Sequence, residues 1–189
     1  MGEKSTYWAL KSNLLYDAAL VPNIGAELIL PKGWSVTGSW EYAWWNTPSW
    51  YWRVYGGELA LRKWFGRIAE RPLTGHHVGL YTQALTYDFL VGGRGYQSGD
   101  PGQDLFDRAS YAVGLEYGYS YPLTTNLHLD FVLGMGYQGG KYNVYSHQDD
   151  CYVWEGTKRR SFVGPTKAEV SLVWLLKRHT IKSKKGGMP

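Results

Sequence analysis

The chain has 189 residues, a formal charge of +4 and 16% aromatic residues, with 10 Trp and 16 Tyr against 5 Phe, and 24 glycines. That length suits one domain, residues 1–189, and the charge gathers at Lys177, Arg178, Lys182, Lys184 and Lys185, so the nearly balanced body gives nucleic acid little support as a partner. Mean hydropathy is −0.37, and no apolar run reaches the roughly 18 residues of a transmembrane helix, which still leaves strands, where only alternate residues need be apolar.

Trp8 to Ala18 alternates, with Leu10, Ser12, Leu14 and Tyr16 on one face and Lys11, Asn13, Leu15 and Asp17 on the other. A period of two reads as strand, because successive side chains leave the backbone on opposite faces. Pro22 interrupts it, since proline cannot donate to a ladder. Ile24 to Leu30 then sets Ile24, Ala26, Leu28 and Leu30 against Gly25, Glu27 and Ile29, and Pro31-Lys32-Gly33 has the composition of a tight turn. From Trp34 to Trp45, Trp34, Val36, Trp40, Tyr42 and Trp44 oppose Ser35, Thr37, Ser39, Glu41 and Ala43. Asn46 to Ser49 turns the chain, and Tyr51 to Phe65 sets Tyr55, Leu59 and Leu61 against Val54, Glu58, Ala60 and Arg62.

Gly66 to Gly75 is a polar connection. In His76 to Val91, Val78, Leu80 and Thr82 are placed outward and His77, Tyr81 and Gln83 inward, although a slip of one residue reverses them all. Gly92 to Arg108 reads as a long loop. Tyr111 to Tyr121 is the clearest strand: Tyr111, Val113, Leu115, Tyr117, Tyr119 and Tyr121 face Ala112, Gly114, Glu116, Gly118 and Ser120. After a turn at Pro122 to Asn126, Leu127, Leu129, Phe131, Leu133 and Met135 oppose His128, Asp130, Val132 and Gly134. A second polar stretch, Lys141 to Arg160, carries Cys151, whose solitude excludes an intramolecular disulfide. Phe162 to Leu175 closes the pattern, with Ala168, Val170, Leu172 and Trp174 against Lys167, Glu169, Ser171 and Val173. The basic tail 177–189 follows.

The large side chains form one continuous stripe, and the opposite face is too small and glycine-rich for an ordinary wet surface. Eight such strands joined alternately by short and long links predict an all-β fold, an eight-stranded antiparallel up-and-down barrel of the outer-membrane type, with aromatics in lipid and polar groups inside. The inward set collects Lys11, Asp17, Glu27, Glu41, Glu58, Arg62, His77, Gln83, Glu116, Asp130, Lys167 and Glu169. Buried charges must pair or hold water, so Lys11, Glu27, Glu41, Glu58, Arg62, Glu116, Asp130, Lys167 and Glu169 are expected to form a polar lumen network. A plug that fixes register and a small conducting path both remain open readings. No export signal precedes the strand pattern that follows Met1-Gly2-Glu3-Lys4, so an outer-membrane location expects a mature or truncated chain.

Catalysis finds few candidates. His128 and Asp130 share a face, and His76 and His77 are adjacent, but no serine completes a nucleophile arrangement. His76, His77, Asp88 and His147 lack metal-ligand spacing, Asp149 and Asp150 read as a loop tip, and Gly92-Gly93-Arg94-Gly95 precedes no helix as a phosphate loop would. The reading is therefore non-enzymatic, without cofactor or metal.

The phrases ALKSNLLYDAALVPNIGAELIL (9–30), WSVTGSWEYAWW (34–45), GGELALRKWF (56–65), GLYTQALTYDF (79–89), YAVGLEYGYSYPL (111–123) and GPTKAEVSLVWLL (164–176) resemble a family of small outer-membrane barrels of unknown function from Bacteroidota. Members of that family are often encoded near genes for fimbrillin-type fimbriae. The resemblance implies a cell-envelope protein with no known catalytic residues, in contact with outer-membrane lipid and with surface or fimbrial proteins as partners. It implies a structural or accessory role in assembling a fimbria or surface complex. A ligand-holding or small-solute transport barrel, including a soluble lipocalin-like form, and a lipid-modifying outer-membrane enzyme are the alternatives.

Overall fold

Extended segments satisfy their N–H and C=O groups only on neighbouring strands. In the computed structural model, which describes residues 6–47, 50–66, 71–99, 108–148 and 151–178, these are β1 (Thr6–Asn13), β2 (Asn23–Leu30), β3 (Trp34–Thr47), β4 (Trp50–Trp64), β5 (Gly75–Val91), β6 (Arg94–Ser98), β7 (Ser110–Pro122), β8 (Leu127–Gln148) and β9 (Cys151–Arg178), with one short helix, α1 (Leu14–Ala18). All pairings are antiparallel, and β1 closes the sheet on β9 with Trp8 opposite Leu176 and Asn13 opposite Ser171. Both β6 and β7 lie between β5 and β8, β6 at the far end and β7 at the end that carries β1's start and β9's finish. They share one wall position, so the ring is an eight-stranded antiparallel up-and-down barrel.

Its polarity is that of the outer-membrane type. Along β7 the odd residues from Tyr111 to Tyr121 are exposed, while Ala112, Glu116, Gly118 and Ser120 are buried. Leu115 is 65% and Leu133 70% exposed, yet Arg62 is 0% and Asp130 1%. An eight-stranded interior is just wide enough for side chains to fill, and the small residues of the inner face make room for rings. A Cβ on Gly118 would sit 2.4 Å from the His77 imidazole, and one on Gly134 2.8 Å from the Tyr81 ring. In β5, the strand whose register sequence left least decided, Val78 and Leu80 are exposed and His77 and Tyr81 buried, the predicted sense.

The structure departs from the sequence expectation in four places. The first strand stops at Asn13, whose side chain accepts from the Leu15 N–H and caps α1. Asp17 is therefore not a lumen residue: it is exposed on α1, accepting from Ser12 Oγ at 2.8 Å and Asn23 Nδ2 at 2.9 Å. The expected loop 92–108 contains β6, joined to β5 by a turn in which Gly92 (φ 62°) and Gly93 (φ 79°) adopt the left-handed backbone that glycine permits. The expected loop 141–160 is mostly strand, with β8 reaching Gln148 and β9 starting at Cys151, and β9 also takes in Lys177 and Arg178 of the basic tail. Since about 9–11 residues cross a bilayer, the 22 residues of β8 and 28 of β9 carry the hairpin well past the barrel's apolar band.

Candidate functional site: the charged lumen

The inner faces of β1, β2, β4, β7, β8 and β9 each deliver one or two charged groups that meet inside the barrel. Glu58 and Arg62 are four residues apart on β4, and Lys167 and Glu169 two apart on β9, so each pair shares the inward side. Arg62 is the hub. Its Nε donates to Glu116 Oε1 at 2.6 Å, its Nη1 to Asp130 Oδ2 at 3.1 Å and Glu27 Oε2 at 3.3 Å, and its Nη2 to Glu169 Oε2 at 3.3 Å. Those four acids sit on β7, β8, β2 and β9, none of which neighbours β4, so the guanidinium ties the barrel across its diameter.

Two lysines complete the arrangement. Lys11 Nζ lies 3.0 Å from Glu169 Oε1, 3.2 Å from Asp130 Oδ2 and 3.6 Å from Glu27 Oε2. Lys167 Nζ pairs with Glu58 Oε1, with Glu116 Oε2 at 2.6 Å and with Glu169 Oε2 at 3.2 Å. Eight of the nine predicted lumen residues thus join one network. Glu41 stands apart: it is 1% exposed, its Oε1 accepts from Ser39 Oγ at 2.9 Å, and its buried Oε2 has no partner among the described residues. It lines a chamber of about 420 Å³ above the network, together with Tyr16, Gln83 and Glu58. Glu27, Glu41, Glu58, Glu116, Asp130 and Glu169 outnumber Lys11, Arg62 and Lys167, so the lumen carries an excess of acid.

Each end of the lumen is capped with the help of a group that the alternation does not reveal. At the end carrying β1's start, Leu73 and Trp64 pack with Ala9, Val173 and Leu175. Leu73 comes from the 66–75 connection, and its carbonyl accepts from His128 Nδ1 at 3.0 Å. Trp64 Nε1 donates to Ser35 Oγ at 2.7 Å, and Ser35 Oγ to Glu27 Oε1 at 2.6 Å, which anchors this cap to the network. At the far end β1 and β2 are short and α1 fills the interrupted wall. Tyr16 packs against Val21, Ala43 and Val54, and its hydroxyl accepts from Gln83 Nε2 at 3.1 Å.

His76, His77 and His128 have structural partners. His77 Nε2 meets Asp130 Oδ1 at 2.9 Å under the Trp64 ring, with centroids 4.3 Å apart. His128 is committed to Leu73, and His76 Nδ1 pairs with the Tyr117 hydroxyl on the outside at 2.7 Å. Ser120 Oγ is buried without a hydrogen-bond partner among the described residues, so it forms no nucleophile–base pair with His77 or His128. Among the described residues no three His, Cys, Asp or Glu side chains are grouped to hold a metal ion, and no helix is long and apolar enough to cross a membrane. Cys151 is exposed at the start of β9; Asp149 and Asp150 lie outside the described residues.

The sequence of a family described only as a protein of unknown function, DUF3575, matches residues 1–176. Among solved structures, the chain is similar to the crystal structure of Neisserial surface protein A (NspA), at 16% identity over 90% of this chain and 92% of that one, with a TM-score of 0.39. No curated protein matches it in sequence.

Proposed function

The chain belongs to the DUF3575 family, and we propose that it is a non-enzymatic outer-membrane barrel whose lumen serves stability and whose far end serves recognition. One observation carries this reading, the inversion of polarity. Leu59, Leu115, Leu133 and Met135 are 61–70% exposed, whereas Lys11, Arg62, Glu116 and Asp130 are at most 7%. Only a surrounding medium as apolar as leucine makes such an exterior favourable, and closed barrels of this kind cross outer membranes. In this reading the start of β1 and the finish of β9 face the periplasm, and the β3–β4, β5–β6 and β8–β9 ends face outward.

With charge pairs crossing the lumen and hydrophobic groups capping it, contact chemistry is left to the outer ends. That placement and the resemblance of the motif phrases quoted above support an accessory role in assembling fimbriae or another surface complex. The experiment is expression behind an export signal, followed by fractionation and gels with and without boiling. Recovery with the outer membrane and a heat-dependent shift in migration are expected. A detergent-free soluble monomer would overturn the reading. Truncating the β8–β9 extension should then reduce surface-complex assembly without loss of the barrel from the membrane.

A second reading rests on Glu41 and its chamber. A carboxylate oxygen, Glu41 Oε2, with no hydrogen-bond partner among the described residues and about 420 Å³ of space beside it suits a ligand-holding barrel. Calorimetric titration with small organic cations separates it from the first: heat of binding that vanishes in Glu41→Gln would favour it.

A further inference from the structure

A second hollow, of about 680 Å³, lies at the far end of the barrel, distinct from the lumen network. Four aromatic side chains, Tyr51, Tyr145, Tyr152 and Trp154, contribute to its wall. Tyr152 lies 5.6 Å from Tyr51 and 5.8 Å from Tyr145, ring centroid to ring centroid, and Trp154 is 67% exposed at the rim. Between the rings sit planar polar groups. Arg53 Nη1 donates to Asp88 Oδ2 at 3.2 Å, and the Tyr145 hydroxyl to Asp88 Oδ1 at 2.5 Å. The guanidinium is held 4.6 Å from the Tyr51 ring and 4.7 Å from that of Trp44, while its buried Nε has no partner among the described residues. Gln97 adds a carboxamide.

We propose that this cup binds a neutral oligosaccharide. The Arg53–Asp88 pair cancels its own charge and supplies the only charged side chains among the described residues of the cup's lining, so the lining itself favours neither an anionic nor a cationic ligand. An apolar ligand would strip water from that pair and return nothing for it. A sugar answers both halves of the wall: its C–H faces lie against aromatic rings, and its adjacent hydroxyls match the forked geometry of carboxylate, guanidinium and amide. Rings already packed and a guanidinium already braced lower the ordering cost of binding. The inference deepens the recognition role proposed for the far end and rests on that reading for the source of the glycan, which would be external to the cell. The cup itself can be tested in detergent, so its failure and the failure of the membrane reading are distinguishable.

The probe is an array of neutral oligosaccharides, with sialylated and sulfated ones alongside, presented to the full chain refolded in detergent. Any retained sugar is then titrated calorimetrically. Retention of neutral sugars is expected, with affinity reduced at least about tenfold in Trp154→Ala and in Asp88→Asn and unchanged in Val91→Ala, which lies outside the cup. Trp154 is exposed, so its loss does not threaten the fold, and heat-modifiable migration checks each variant. The proposal is overturned if no neutral oligosaccharide is retained, if only the charged ones are, or if Trp154→Ala binds as well as the parent.

Discussion

Arg62→Ala should be the most damaging single substitution in the lumen. The guanidinium is fully buried and touches Glu27, Glu116, Asp130 and Glu169. Truncating one partner of a buried ion pair typically costs about 3–5 kcal/mol, because the charge left behind has neither water nor counter-ion. Here the acids are not wholly abandoned: Lys11 still reaches Glu27, Asp130 and Glu169, and Lys167 still reaches Glu116 and Glu169. That redundancy places the expected loss near the lower end, about 3 kcal/mol. Urea unfolding in lipid vesicles measures it, as a fall in midpoint at constant slope. The double variant Arg62→Ala with Glu116→Gln removes one orphaned charge along with the hub. It should lose less than the sum of the single changes, by about 1–3 kcal/mol. A change under about 0.5 kcal/mol for Arg62→Ala, the range of an ordinary surface substitution, would refute the hub assignment.

The lumen should not conduct: in planar bilayers the parent is expected to pass no steady current, and a sustained ion current would turn the charged network into a pore lining. Leu133→Arg places a charge on the outward face and should cost about 2–4 kcal/mol in vesicles if it sits near the bilayer midplane. Val91→Arg, beside the Gly92 turn at the far end, should stay within about 0.5 kcal/mol, and equal effects at the two sites would contradict the lipid-facing assignment. Gly118→Ala should destabilise by about 1–3 kcal/mol through overpacking, since its Cβ would lie 2.4 Å from the His77 ring and 2.8 Å from the Phe131 carbonyl oxygen. A neutral result in the same unfolding assay would mean that His77 is free to move away.

The parts of the fold legible in sequence are those that a membrane forces into a pattern. Tyr111 to Tyr121 must be apolar on one face and small or polar on the other, so its period gives the face of every residue. Beyond that band the constraint lapses. Arg94 to Ser98, Lys141 to Gln148 and Cys151 to Arg160 form strands whose outer faces need no apolar stripe, and their glycine-rich or basic composition reads as loop. Leu14 to Ala18 hides for a different reason: one helical turn is too short to display its own period, so the alternation of β1 seems to run on through it, and only Asn13 as a cap marks the change. The inward side of the lumen residues follows from strand parity. Their partners do not, because Arg62 meets Glu116, Asp130 and Glu169 across 54, 68 and 107 residues of chain. Register around the whole ring, which no local pattern supplies, sets those meetings, and it also leaves Glu41 outside them. Leu73 was invisible because it reaches the interior from a connection rather than a strand.

The account turns on which face of the barrel meets lipid, and a spin-label scan of β7 reads that directly. Single cysteines at positions 112–119 in a Cys151→Ser background, each labelled and placed in lipid vesicles, report collision with oxygen and with a water-soluble nickel chelate. Oxygen accessibility should peak at 113, 115, 117 and 119, with the chelate excluded there, and both should be low at 112, 114, 116 and 118. Odd positions that collide freely with the chelate would put that face in water and contradict the membrane barrel.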